Sequence, residues 1–358
     1  MNQGGTERGD LLLAGDVGGT KTDLAVVSTA GGPRETLAKR RYPSADYPGL
    51  AEMAREFMAE NGLTVRAACF DVAGPVLNGA ATLTNLRWQL DESALGEALT
   101  VERVWLVNDL VAIGSAIPLL LPEELHEVKR GQAASGGAIA VLAPGTGLGE
   151  AFLMPAEGGG YQAHASEGGH GAFAPTSELE IELLRSLWKE FDHVSYERVA
   201  SGVGIPNLYA FLRDRRDTTE SPELAQQLAA TEDDTRPILQ AALREADPDP
   251  LAVATMELFL RILGTEATNL ALKVLSTGGV FLAGGIAQAL RKHLSTDAFL
   301  DAFVRAGRFG PMLEEMPIHV IMGPEVAMLG AASEGLRRLG AHLPPTPPGA
   351  TADPGQMR

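Results

Sequence analysis

The stretch LLLAGDVGGTKTDLAVV, residues 11–27, joins two apolar runs through a Gly-Asp-Val-Gly-Gly-Thr bend. The runs have the length and composition of β-strands, and the residues between them are turn formers, so the segment reads as a hairpin. Two readings of the bend stand side by side. A plain tight turn asks for glycine and nothing more. A seat for nucleotide phosphates uses every residue: Gly15, Gly18 and Gly19 let the backbone approach phosphate oxygens, and Thr20 donates a hydroxyl. Asp16 would repel phosphate if it stood alone, so its use there is to hold a hydrated Mg²⁺ that bridges the phosphates.

Working outward, YPSADYP closes a third strand, LAEMAREFMAENG has helical spacing with Leu50, Met53, Phe57 and Met58 on one face, and RAACFDVAGPV returns to strand. A hairpin-like NGAATLTNLRWQL precedes the helix DESALGEAL, which Asp91 can cap, and VERVWLVNDL is again a strand. The β-β-β-α-β-α-β order then recurs. GGAIAVLAPGTGLGEAFLMP is strand, Gly-Thr-Gly turn, strand; helices follow, including one near 250–275; GGVFLAGGI adds a strand and a third glycine turn. Two copies of one plan predict duplicated α/β domains facing each other across a cleft. Residues 214–250 read as solvated helices and loops, and the tail from Leu343 as disordered.

At 358 residues, 45% of them apolar and 5% aromatic, with 41 glycines, the composition suits two α/β domains. The net charge of −17 argues against nucleic acid and anionic membranes as partners. No apolar run reaches the roughly 20 residues of a membrane span. MNQGGTERGD lacks a signal-peptide core, so the expected location is cytoplasmic. One cysteine, Cys69, rules out a multi-cysteine zinc site and reads as a buried, inert thiol.

Five further segments carry candidate chemistry. GTGLGE, with Gly145, Thr146 and Gly147, leads into a strand instead of the helix a dinucleotide fingerprint needs, so a second phosphate hairpin fits better. Gly284 and Gly285 make either a strand-to-helix corner or a floor on which a purine lies. Asn108 and Asp109 end a strand, where Asp109 serves as a helix cap or accepts the proton of an attacking hydroxyl. In SEGGHGAFAP, Glu167 and His170 are either a hydrogen-bonded loop or partners for neighbouring sugar hydroxyls. HVSYERVASG reads as a helix start capped by Ser195, with Glu197 a surface carboxylate or a third polar group.

Taken in order, GDVGGT, DVAGPV, TNLRW, NDL, APGTGLGEA, EGGH, FAP, HVSYERVASG, NLY, GGVFLAGGI and GRF resemble the bacterial glucokinase family, within the superfamily of sugar kinases, actin and heat-shock ATPases. The resemblance implies two ribonuclease H-like domains around a central cleft, divided as 11–110 with about 324–341 and as 111–323. It also implies ATP and Mg²⁺ as cofactors, D-glucose as substrate and a homodimer. Asp109 would be the base, and Asn108, Glu167, His170 and Glu197 would hold the sugar hydroxyls. The two phosphate segments would be Gly15 to Thr20 and Gly145 to Gly147, with Gly284 and Gly285 near adenosine.

The chain departs from the pattern at Lys21-Thr22-Asp23, where many relatives carry Asn-Ala-Arg, so Asp23 adds a negative charge beside the turn. Gly171 and Ala172 replace a commoner Val-Asp. GTKTD also occurs in N-acetylglucosamine kinases, which keeps another hexose as an alternative substrate. A noncatalytic sugar sensor would need a DNA-reading module, and a chaperone-like ATPase a peptide-binding domain. The zinc-containing branch of the repressor, open-reading-frame and kinase family needs a cysteine cluster absent here.

Overall fold

The apolar runs on either side of the first glycine bend form β1 (Leu11–Val17) and β2 (Lys21–Ser28), antiparallel with Asp16 opposite Asp23. The computed structural model describes residues 11–83, 85–157, 159–215 and 220–341. The two expected tails, 1–10 and 343–358, lie outside them. The chain continues through β3 (Thr36–Pro43), α1 (Leu50–Glu60), β4 (Ala67–Val72), the hairpin β5 (Ala80–Leu83) and β6 (Trp88–Asp91), α2 (Glu92–Leu99), β7 (Arg103–Asn108) and α3 (Asp109–Ala116). Asp91 caps α2, its carboxylate accepting the Ala94 amide at 2.9 Å.

The chain then runs through β8 (Leu125–Lys129), β9 (Ile139–Pro144), β10 (Leu148–Pro155), β11 (Tyr161–Ser166), α4 (Glu178–Leu187), α5 (Gly204–Asp214), α6 (Pro222–Leu228), α7 (Thr235–Ala242) and α8 (Pro250–Val274). It closes with β12 (Val280–Leu282), α9 (Gly284–Leu290), α10 (Asp297–Val304), α11 (Gly310–Glu315), β13 (Ile318–Ile321) and α12 (Val326–Arg338).

These elements divide into two compact units. Among the described residues, one holds 11–121, with 153–165 and 323–341; the other holds 122–152 and 166–322. The first is built on the sheet β3-β2-β1-β4-β7, whose β1, β4 and β7 are parallel. Alternation along β1 sends Leu11, Leu13 and Val17 to one face, where they pack with Met53 and Phe57 of α1 and Leu95 of α2. It sends Leu12 and Ala14 to the other, against Ala112 of α3 and Met328, Ala331 and Leu336 of α12. Cys69 lies in this second layer, fully buried, and burial pushes its thiol well up from the ordinary value.

The second sheet repeats the plan. Its order is β11-β10-β9-β12-β13-β8, with β9, β12 and β13 parallel and β8 an added antiparallel edge. Helix α8 supplies Leu258, Phe259, Ile262 and Leu263 to its core. Within residues 214–250 the expectation of a wholly solvated stretch is corrected: Leu224 of α6 and Ile238 and Ala241 of α7 are buried in that core. Among the described residues, no helix is long and apolar enough to cross a membrane.

Candidate active site

In the first unit the parallel register sets Asp16 beside Asp71 and Asp71 beside Val107, one residue before Asn108. Three strand ends thus bring Asp16, Asp71, Asn108 and Asp109 to one edge of the sheet, where ligands bind in α/β folds. Asn108 is the N-cap of α3: its Oδ1 accepts the Leu110 amide at 2.9 Å and its Nδ2 donates to the Gly74 carbonyl at 3.1 Å. Capping therefore falls to Asn108, and Asp109 is the first helical residue, its Oδ1 also 2.9 Å from the Leu110 amide. Burial pushes the Asp109 carboxyl up to about 6; the Leu110 amide opposes the shift and the Asp16 charge adds to it.

Asp71 is a residue the sequence reading missed. It is 1% exposed, and neither carboxylate oxygen has a conventional donor. Its side chain lies beside that of Asp16 on the neighbouring strand. Burial, then the charges of Asp16 and Asp109, hold Asp71 well above the usual carboxylate range. Asp16 is itself raised, first by burial and then by Asp23. Among the described residues no three His, Cys, Asp or Glu gather into a metal cage.

The bend itself is tied down. The Gly18 amide donates to the Lys21 carbonyl at 3.0 Å, and the Ser44 hydroxyl donates to the Gly18 carbonyl at 2.7 Å while lying 2.9 Å from the Thr22 hydroxyl. Thr20 and Lys21 are exposed. Asp23 is held by a two-point ion pair with Arg41 at 2.8 and 2.9 Å, and its charge still raises Asp16 in the bend. Gly15 faces inward: a Cβ there would stand 2.7 Å from the Phe70 ring, which explains its glycine by packing.

In the second unit the Gly145 amide donates to the Gly147 carbonyl at 2.9 Å, closing the β9–β10 turn with Thr146 exposed at its tip. The amides of Gly202 and Val203 bind the carbonyls of Gly145 and Thr146 at 2.8 and 3.1 Å. Gly284 opens α9 at φ +87°, a conformation that favours glycine, against the Pro144 carbonyl; at Gly285 a Cβ would meet nothing within 4 Å.

Glu167, His170 and Glu197 come together in the same unit. His170 Nε2 is 3.9 Å from Glu167 Oε2, and its Nδ1 is 3.9 Å from Glu197 Oε1. The Glu167 and His170 side chains are 61% and 60% exposed and that of Glu197 is 23%, so two acids and an imidazole share one accessible spot. The turn is shaped by the His170 amide on the Glu167 carbonyl at 3.0 Å, and the His193 ring holds the His170 carbonyl at 2.8 Å. The expected helix after Ser195 is corrected to a single 3-10 turn, Tyr196–Arg198, with no cap from the Ser195 side chain. The cause is cross-pairing: Ala172 bridges Ser195, and the Tyr196 amide donates to the Gly171 carbonyl at 3.0 Å. Glu197 is no plain surface carboxylate, since its Oε2 accepts the Leu148 amide at 3.2 Å.

Comparison with known proteins bears on this arrangement. The family model described as Glucokinase matches residues 13–337. The chain is 40% identical over 336 residues to a glucokinase of Nostoc punctiforme, covering 90% of this chain and 98% of that protein. Among solved structures it resembles a glucokinase from an Antarctic psychrotroph, with a TM-score of 0.77, 30% identity, and 92% and 99% of the two chains covered. A glucokinase of the repressor, open-reading-frame and kinase type from Streptomyces griseus, solved with glucose and AMPPNP, shares the fold at TM-score 0.57 and 20% identity, with 91% and 99% covered.

Proposed function

Because the chain belongs to the glucokinase family, we propose that it transfers the γ-phosphoryl group of ATP to the 6-hydroxyl of D-glucose, with Mg²⁺, as a cytoplasmic homodimer. The observation that carries the reading is Asp109, a half-buried carboxylate at the start of α3, just after β7, whose affinity for a proton is raised by burial. Such a group accepts the hydroxyl proton as the sugar oxygen forms its bond to phosphorus and the bond to the ADP oxygen breaks. Glu167, His170 and Glu197 offer two acceptors and an imidazole to neighbouring hydroxyls, a set suited to fixing a hexose.

Backbone close to the bends at Gly18, Gly19 and Thr20 and at Gly145, Thr146 and Gly147 would cradle phosphate oxygens, and the corner at Gly284 and Gly285, open at Gly285, would take the adenosine. Mg²⁺, when bound, neutralises phosphate charge. Asp16 would hold it through water, and the orphaned oxygens of Asp71 fit the same oxygen-donor class.

A coupled assay with ATP, Mg²⁺ and a panel of hexoses tests the reading. Glucose should give the highest kcat/KM. A higher value for N-acetylglucosamine replaces the substrate, and ATP consumption with no hexose at all replaces the function.

A further inference from the structure

Beneath the Glu167–His170 turn lies a pair of acids with no part in the chemistry above. Glu150 on β10 and Glu266 on α8 are 2% and 0% exposed, and their side chains reach each other. Each also keeps an Oε1 with no hydrogen-bond partner. Two touching carboxyls in so dry a place hold one proton between them, because a second charge would have neither water nor a counter-ion.

The neighbours decide where the proton sits. Asn269 Nδ2 donates to Glu266 Oε2 at 2.8 Å, and Lys273 Nζ stands 4.0 Å from Glu266 Oε1. Both favour a charge on Glu266, which leaves the proton on Glu150. Lys273 of α8 and the Tyr196 phenol are the charged and titratable groups facing the pair; Asn269 and Ser166 are its neutral polar neighbours.

The pair touches both segments of the hydroxyl-binding set. Glu150 lies directly against Gly168, the residue after Glu167, so closely that a Cβ at 168 would overlap the carboxyl group. The Gly168 amide meanwhile donates to the Ser166 hydroxyl at 3.0 Å. On the other side Asn269 Nδ2 also donates to the Tyr196 hydroxyl at 2.8 Å, and Tyr196 immediately precedes Glu197.

We propose that Glu150 and Glu266, sharing one proton, are positioning residues for Glu167, His170 and Glu197, and that losing the proton drives the carboxylates apart, shifts the Gly168 turn and weakens sugar binding. This rests on the reading of those three residues as the sugar's partners. Burial, with the charge and hydrogen bond of Glu266, places the Glu150 proton loss at about 8, so the effect falls on the alkaline side of neutrality.

Two measurements on the full chain test it: calorimetric binding of glucose from pH 6 to pH 9, and NMR titration of the His170 ring without sugar. Loss of one proton near pH 8 raises the glucose Kd about tenfold between pH 7 and pH 9. The His170 resonances should move with the same midpoint. Glu150→Gln keeps a hydrogen-bond donor but no titrating proton, and should remove the step near pH 8 from both curves. Glu266→Gln removes the charge beside Glu150 and should bring the midpoint to lower pH. A flat wild-type Kd, or an alkaline rise that survives in Glu150→Gln, overturns the proposal. If no hexose binds, the sugar reading falls by itself. The His170 midpoint then still decides the pair: its loss in Glu150→Gln supports the link to the turn, and its absence from the wild type removes it.

Discussion

Gly147 lies directly against Glu197 Oε2, the same oxygen that accepts the Leu148 amide at 3.2 Å. The hairpin assigned to phosphate and the carboxylate assigned to sugar are therefore in contact within one unit, and a change in the first displaces the second. Gly147→Ala should push the Glu197 carboxylate aside while β9 and β10 persist. A misplacement of that kind costs about 10²-fold in kcat/KM. Steady-state kinetics with circular dichroism check it; unchanged kinetics in the folded variant would break the connection.

Asp109→Asn should keep glucose binding and lower kcat by about 10² to 10⁴, the usual worth of a positioned base. In the unaltered protein the base must be unprotonated, so kcat falls as pH drops through about 6, the value set mainly by burial. Glucose affinity by calorimetry and kcat from pH 5 to pH 8 separate the two effects. A variant with near-normal turnover would remove Asp109 from the role.

The ion pair between Asp23 and Arg41 should respond unequally to its two deletions. Asp23 is 7% exposed, whereas the Arg41 side chain is 56% exposed. Arg41→Met strands a buried carboxylate and should cost about 1–3 kcal/mol. Asp23→Asn returns an arginine to water and should cost less than about 1 kcal/mol. Urea denaturation of both variants measures the difference, and equal costs would contradict it.

These residues also mark what could be read without coordinates. The glycine bends, strand runs and the Asp91 cap were legible because their causes are local: a turn former between apolar runs, or a carboxylate three residues from an amide. The helix expected at HVSYERVASG failed because Ala172 and Gly171, distant in sequence, pair with Ser195 and Tyr196 and draw the segment into a bridge. Asp71 was invisible for a related reason. A single acid in AACFDVAG does not reveal that parallel register will set it beside Asp16. Likewise the Arg41 partner of Asp23 shows only once β2 and β3 are aligned. Glu150 and Glu266 sit on a strand and a helix far apart in the chain, and neither segment hints at the other.

The return of α12 to the first sheet bears on how the protein is made. Leu12, Ala14, Cys69 and Val107 are covered from one side by Met328, Ala331 and Leu336, which are translated long after them. Domains ordinarily fold as they emerge, N-terminal first. Here the first sheet keeps an apolar face uncovered while the second unit is translated, so its native layer is complete only once α12 follows.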